Sequence, residues 1–158
     1  MANPNYTAVE GTVQNLSSMR DSCCEQQLTL STGNGIVNFI LSGDTHIVDN
    51  QRLRPGMRVT AFYNSDLPVP LIFPPRYQAA VVAPVTRNEM VAFHFFDRNL
   101  IAQDNSLQLN PGPATVITTT NGQNFSCSIR NRQLLVFYTN TTRSIPPQTT
   151  PRRIVVFC

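Results

Sequence analysis

The apolar positions along this chain fall into short runs and two-residue alternations, and no long stretch repeats with helical period. "VNFILS" (residues 37–42), "MRVTAFY" (57–63) and "RRIVVF" (152–157) are apolar or alternating over strand lengths. "STGNGIV" (31–37) places a Gly/Asn turn between two such runs, the signal of a hairpin. Twelve prolines are scattered through the chain and break any long helix. One short helix is expected around residues 87–90. The pattern predicts an all-β protein.

The chain also repeats itself. "THIVDNQRLRPGMRVTAFYNSDLPVPLIFPPRYQAAVV" in the first half is matched by "TVITTTNGQNFSCSIRNRQLLVFYTNTTRSIPPQTTPRRIVV" in the second. Each copy opens on a Thr-led strand (residues 45–48 and 115–118) and passes a turn (49–50 and 121–122). Each then has a strand ending in Phe-Tyr, Phe62 with Tyr63 and Phe137 with Tyr138. A loop holding Pro-Pro follows, and the copy closes on a strand after Pro-Arg. Upstream, "LTL" (28–30) is matched to "LQL" (107–109), and the opening strands near 9–16 and 90–100 correspond. The extra strand "GIVNFIL" (35–41) has no expected counterpart. Self-similarity at this period predicts two tandem units, residues 6–84 and 88–158. Each is expected to be a small OB-like β-barrel or half of a sandwich. Units this small bury little surface alone, so they are expected to pack into one body.

Composition sharpens the picture. Hydrophobic residues make up 41%, enough for a core, while charged residues make up only 13%, about half the usual share. All twelve basic residues are Arg. A sparsely charged surface rich in Asn, Thr, Gln and Ser does little to keep neighbouring copies apart. The net charge of +3 is mild and its arginines are dispersed, the nearest clusters being Arg130 with Arg132 and Arg152 with Arg153. A nucleic-acid partner, which calls for a basic stripe, is therefore not expected. "MANPNYTAVEG" has neither the basic nor the apolar region of a signal peptide, and no apolar run approaches the ~18 residues of a membrane span. The expectation is a chain made in the cytoplasm, without membrane insertion.

Catalytic signatures do not emerge. The two histidines are His46 and His94, and Asp97, three residues after His94, leaves an extended strand on the opposite face. No triad, carboxylate pair or phosphate loop is legible, so no enzyme activity and no cofactor are expected. The four cysteines, Cys23, Cys24, Cys127 and Cys158, contain no C-x-x-C pair, and no metal site is expected. The adjacent Cys23 and Cys24 would form a strained ring if bonded to each other. In extended backbone they point to opposite faces, one expected toward the body of the subunit and one outward. Cys127 is expected in a strand. Four cysteines allow three pairings, which the sequence leaves open. Cys158, at the terminus, is placed to bond a neighbouring copy.

"VEGTV", "GDTHIVDN", "LRPGMRVTAFY" and "PPRYQAAVV" resemble the small OB-like β-domain of surface and uncharacterised proteins of Gram-positive anaerobes, here in tandem copy. The cysteine usage is loosely similar to that of endospore appendage subunits, which carry a Cys-Cys pair and disulfide-linked copies. This resemblance implies a structural role and brings no catalytic residues; in those subunits the pair lies nearer the N-terminus.

The loop "DLPVPLIFPP" (66–75) is stiffened by proline yet apolar through Leu67, Val69, Leu71, Ile72 and Phe73. It is expected either to fold back on its own core or to cover a partner subunit. Its counterpart "TNTTRSIPPQTT" is polar, and a body with one apolar end can pack head to tail. The leading functional expectation is a self-assembling structural subunit of a spore-associated or cell-surface filament or layer, locked by disulfides between copies. The alternative is an OB-like module gripping single-stranded nucleic acid or oligosaccharide through Tyr63, Tyr77, Phe95, Tyr138, Arg58, Arg76 and Arg132.

Overall fold

The computed structural model describes residues 3–158, and these form an all-β protein. Among the described residues there are twelve strands and one turn of 3-10 helix, Val48–Asn50. The strands are β1 (Tyr6–Met19), β2 (Ser22–Thr32), β3 (Gly35–Leu41), β4 (His46–Ile47), β5 (Arg58–Asn64), β6 (Arg76–Pro84), β7 (Met90–Phe96), β8 (Gln108–Leu109), β9 (Val116–Thr119), β10 (Arg132–Tyr138), β11 (Gln148–Thr149) and β12 (Arg153–Phe157). They fall into two compact units, Pro4–Val85 and Thr86–Cys158, with Asn3 grouped with the second.

The first unit closes on itself. Strand order runs β3-β2-β1-β5-β6, and β6 returns to β3 in parallel through Asn38↔Arg76 and Ile40↔Gln78, completing a five-stranded barrel. Closure removes the open edges that a sheet of this size would otherwise expose. β1 serves two partners: residues 6–12 pair with β5, and residues 12–19 pair with β2. At the crossing lies Gly11, where an added Cβ would stand 2.8 Å from the Ser31 carbonyl oxygen, so no side chain fits between the two strands. The turn Gly33–Asn34 joins β2 to β3, and Gly35 at φ 117 closes it in a conformation that L side chains rarely adopt. The barrel is filled by Val13, Leu28, Leu30, Phe39, Leu41, Val59, Ala61 and Val82. Phe62, Val81 and Ala83, on the alternate positions of their strands, are buried as well. Burial on both faces explains why these stretches read as continuous apolar runs.

The second unit carries the sheet β7-β10-β12-β9 and the parallel pair β8 with β11. Its pairings parallel those of the first unit. β7–β10 and β10–β12 are antiparallel like β1–β5 and β5–β6, and β9–β12 is parallel like β4–β6. One hydroxyl has the same task in both. Thr45 Oγ1 accepts from the Ser42 amide at 3.0 Å and donates to the Ala79 carbonyl at 2.8 Å. Thr115 Oγ1 accepts from the Gly112 amide at 3.0 Å and donates to the Pro151 carbonyl at 2.7 Å. In each unit the first proline of Pro-Pro follows a cis bond, after Phe73 and after Ile145.

The pairings correct several expectations. The counterpart of "LQL" is in β3, not "LTL": Gln108 pairs with Gln148 as Asn38 pairs with Arg76, each seven residues before its threonine. What the second unit lacks is therefore a long β1–β2 ribbon, not the β3 strand. The expected helix at 87–90 is a turn. Asn88 has φ 63, and the Thr86 hydroxyl holds the Glu89 carboxylate at 3.1 Å, which ends the segment before a helix can start. Cys127 is not in a strand. The Ser128 hydroxyl accepts from the Arg130 amide and the Ser128 carbonyl accepts from Arg132 Nε, and these local bonds replace ladder bonds. Residues 48–50 leave the Thr-led strand for a 3-10 turn, with Asp49 at φ 59.

Candidate functional site

Beyond the barrel wall, β1 and β2 continue as a two-stranded ribbon. β5 stops at Thr12, and β1 keeps pairing with β2 from Asn15↔Thr29 to Ser18↔Gln26, where β3 also stops; the register then breaks, so that Met19 meets Ser22 and Cys23, Cys24 and Glu25 fall in the irregular stretch. No residue between 14 and 27 is buried. Cys23 and Cys24 lie near its tip and both are exposed. The expectation that one thiol faces the body of the subunit is thus corrected: past the barrel wall the inner face of the strand has nothing to pack against.

Cys127 and Cys158 are also free and exposed, so no disulfide joins any of the four. Arg132 links their surroundings. Its Nε donates to the carbonyl of Ser128, next to Cys127, and its Nη1 lies 3.7 Å from Cys158 Sγ. Its guanidinium also sits over the Phe125 ring, 5.0 Å from the centroid.

The loop between β5 and β6 does not fold back. Leu67, Val69 and Ile72 are about half exposed, and Leu71 and Phe73 are 102% and 94% exposed. Pro68, Pro70, Pro74 and Pro75 supply no amide hydrogen, so the loop could not have joined a sheet. At its base lies a groove of about 200 Å³ lined by Ile40, Tyr63, Asn64, Arg76, Tyr77 and the 67–70 segment. Its floor is a stacked pair, the Tyr63 and Tyr77 rings 3.9 Å apart and 9° from parallel. Phe39, fully buried beneath, touches both at tilted angles. Burial raises the Tyr63 phenol above its ordinary pKa, with the neighbouring Tyr77 adding to the rise.

The second unit has a groove at the equivalent place with opposite chemistry. Asn110, Thr139, Gln148, Thr149 and Thr150 stand where Ile40, Asn64, Arg76, Tyr77 and Gln78 stand in the first, and the walls are Asn140, Thr141 and Thr142. The repeat alignment was the signal that could have located both grooves; single residue types could not.

Of the residues weighed for ligand binding, the structure brings together Tyr63, Tyr77 and Arg76. Arg58 is at the other end of β5, in an ion pair with Glu10 at 2.8 Å. Arg132 and Tyr138 occupy opposite ends of β10 in the second unit, and Phe95 is half-buried in β7. His94 faces Asp104 at 3.8 Å, not Asp97. Burial lowers its pKa, against the pull of the Asp104 carboxylate. Asp97 instead accepts from the Asn99 and Ile101 amides and holds a turn. Among the described residues no group of three His, Cys, Asp or Glu side chains could hold a metal ion, and no helix is long and apolar enough to cross a membrane.

One ion pair ties β12 to the start of β7. Arg152 donates to both Glu89 oxygens, at 2.6 and 2.8 Å, and Glu89 is 8% exposed. The Arg152 hydrogen bonds hold the Glu89 carboxyl below its usual range, against the opposing effect of burial. A depressed carboxyl stabilises the fold above its unfolded-state pKa, and that share is lost as pH falls through the folded value. Glu89→Gln is therefore expected to flatten the acid limb of stability below about pH 4.5. The loss near pH 7 is expected to be under about 1 kcal/mol, because Arg152 is 59% exposed. Urea unfolding of both chains from pH 7 to 3 measures it.

Comparison of the chain with protein-family models, curated proteins and solved structures finds no match. The fold and surfaces define an all-β protein of two compact units with four exposed thiols and one exposed apolar loop.

Proposed function

We propose that the protein is a self-assembling structural subunit whose copies are locked together by disulfides, in a filament or layer at a spore or cell surface. The observation that carries this reading is the placement of the thiols. A vicinal pair near the tip of the β1–β2 hairpin presents two exposed sulfurs in an irregular stretch of strand, and two more stand exposed on the second unit. Sulfurs so placed reach other copies with no rearrangement of a core. Cys23 and Cys24 bond Cys127 or Cys158 of neighbouring copies, and each bond forms by exchange with a small disulfide that leaves as two thiols. The exposed loop 66–75 is covered in the same assembly. The cysteine usage, loosely similar to that of endospore appendage subunits with their Cys-Cys pair and disulfide-linked copies, supports the same reading.

Denaturing gels test it. Protein incubated with oxidised glutathione and run without reductant is expected to give a ladder of multimers, which reductant collapses to one monomer band. Cys23→Ser with Cys24→Ser removes one side of every proposed bond and is expected to leave only the monomer band. A single monomer band under both conditions overturns the proposal.

The stacked Tyr63 and Tyr77 beside Arg76 favour a second reading, an OB-like module that stacks a base or sugar on this groove. Saturable, salt-weakened binding of a single-stranded oligonucleotide, with no multimer ladder, distinguishes it.

A further inference from the structure

We propose that the Tyr63–Tyr77 groove binds a small anion of one ring, a carboxylate carried on an aromatic body, with Arg76 taking the charge. This rests on the groove reading above, which it narrows, and does not depend on self-assembly. Among the described residues three arginines are half-buried, Arg76, Arg132 and Arg153. The Arg132 guanidinium donates to the Ser128 carbonyl, and the Arg153 guanidinium lies over the Phe137 ring. The Arg76 guanidinium has no hydrogen-bond, ion-pair or ring partner among the described residues. A charge drawn partly out of water without a partner costs free energy, so folding alone does not account for its place.

The second unit shows what the strand pairing itself requires. Gln148 stands at the place of Arg76, Thr149 at that of Tyr77 and Asn110 at that of Ile40. Asn110 Nδ2 donates to Gln148 Oε1 at 2.6 Å, and the Thr149 hydroxyl donates to the Asn140 carbonyl at 2.6 Å, so these groups find partners inside their own groove. In the first unit Ile40 offers Arg76 no acceptor. The cation and the second tyrosine are therefore properties of this groove and not of the fold. The rest of the lining fits the same ligand. No carboxylate lines the groove, and the Asp66 carboxylate, at the foot of the loop, accepts from the Asn5 amide at 3.0 Å. Asn64 Oδ1 accepts from the Asp66 amide at 2.9 Å, which leaves Asn64 Nδ2 as a second donor for an anion. The 67–70 segment gives an apolar wall, and the tyrosine stack on Phe39 gives a rigid aromatic floor. At about 200 Å³ the groove is smaller than the roughly 300–1,000 Å³ of sites for drug-sized ligands, so it takes a single ring and not a chain.

Fluorine NMR titration with para-fluorobenzoate tests the site, with reductant present throughout so that disulfides play no part. Saturable binding in the submillimolar range is expected for a ligand of so few atoms. Arg76→Gln and Tyr77→Thr install the residues that the second unit carries at these places, so both variants are expected to fold, which urea unfolding checks. Each is expected to weaken para-fluorobenzoate binding tenfold or more. Arg76→Lys keeps the charge and is expected to retain more of the affinity than Arg76→Gln. The alcohol para-fluorobenzyl alcohol has the same ring without the charge. It is expected to bind the wild type tenfold or more weakly than the acid, and to bind Arg76→Gln as well as it binds the wild type. The proposal is overturned if the acid fails to saturate the wild type by several millimolar, if Arg76→Gln binds the acid unchanged, or if acid and alcohol bind the wild type alike. A single-stranded oligonucleotide that binds where para-fluorobenzoate does not overturns this proposal and leaves the broader groove reading standing, whereas failure of both removes both.

Discussion

Phe39→Ala is expected to lower the stability of the first unit by about 3–5 kcal/mol, the cost of removing a large aromatic from a packed core. Phe39 has no exposed surface, and its side chain points from β3 into the barrel, where Leu28, Leu30, Val59 and Ala61 surround it. A hole left there cannot collapse easily, because the wall is a hydrogen-bonded ring and each strand is held by two others. Domains carry about 5–15 kcal/mol in total, so the change is a large fraction of the whole. The effect reaches the surface as well. Phe39 lies 6.3 Å from the Tyr63 ring and 5.8 Å from the Tyr77 ring, and it supports their stack from below. With no Trp and four Tyr in the chain, near-ultraviolet circular dichroism reads the stack directly. Urea unfolding is expected to show a shifted midpoint, and the tyrosine band is expected to weaken before unfolding begins. A loss below about 1 kcal/mol, or an unchanged tyrosine band, would show that Phe39 is not the wedge beneath the groove.

The second large effect is expected from a pair of hydroxyls. Thr45→Val and Thr115→Val are each expected to cost about 1–3 kcal/mol, because each leaves an amide and a carbonyl without the group that joined them. Valine keeps the shape and removes only the hydrogen bonds, so the loss reports the polar contact. Since the bond lengths at the two positions agree within 0.1 Å, the two losses are expected to be close to one another. Thr→Ser at either position keeps the hydroxyl and is expected to recover most of the loss. Two unequal losses, with one near zero, would argue that the shared hydrogen bonds do not do the same task in the two units. Thermal and urea unfolding of the four variants settles the comparison.

Much of the first unit was legible from patterning. "VNFILS" and "MRVTAFY" became β3 and β5, and the Gly33–Asn34 hairpin lies where the turn residues placed it. These are short-range properties: alternation of side chains and the conformations open to glycine act within a few residues. The all-β class followed from them and from the prolines. The helix at 87–90 failed for an equally local reason, the left-handed Asn88. Matching "LQL" to "LTL" failed for a different one. Two similar tripeptides look alike along the chain, but only pairing across the sheet shows that Gln108 meets Gln148 as Asn38 meets Arg76.

The candidate surfaces divide in the same way. The odd composition of residues 66–75 and the adjacent thiols were visible at once, because proline, apolar and cysteine content needs no partner to be counted. Whether the loop lay on the core or in solvent, and whether a thiol faced the body or the open, depended on where the neighbouring strands stop. β5 ends its pairing with β1 at Thr12, and β3 ends its pairing with β2 at Gln26. That leaves both Cys23 and Cys24 outside the wall. Tyr63 and Tyr77 are distant in sequence and stack because antiparallel β5 and β6 bring their ends together. Alternation along a strand says which side chains share a face. Only the closed ring of strands decides which face is inside, since burial is a property of what lies across the barrel and not of the residue itself.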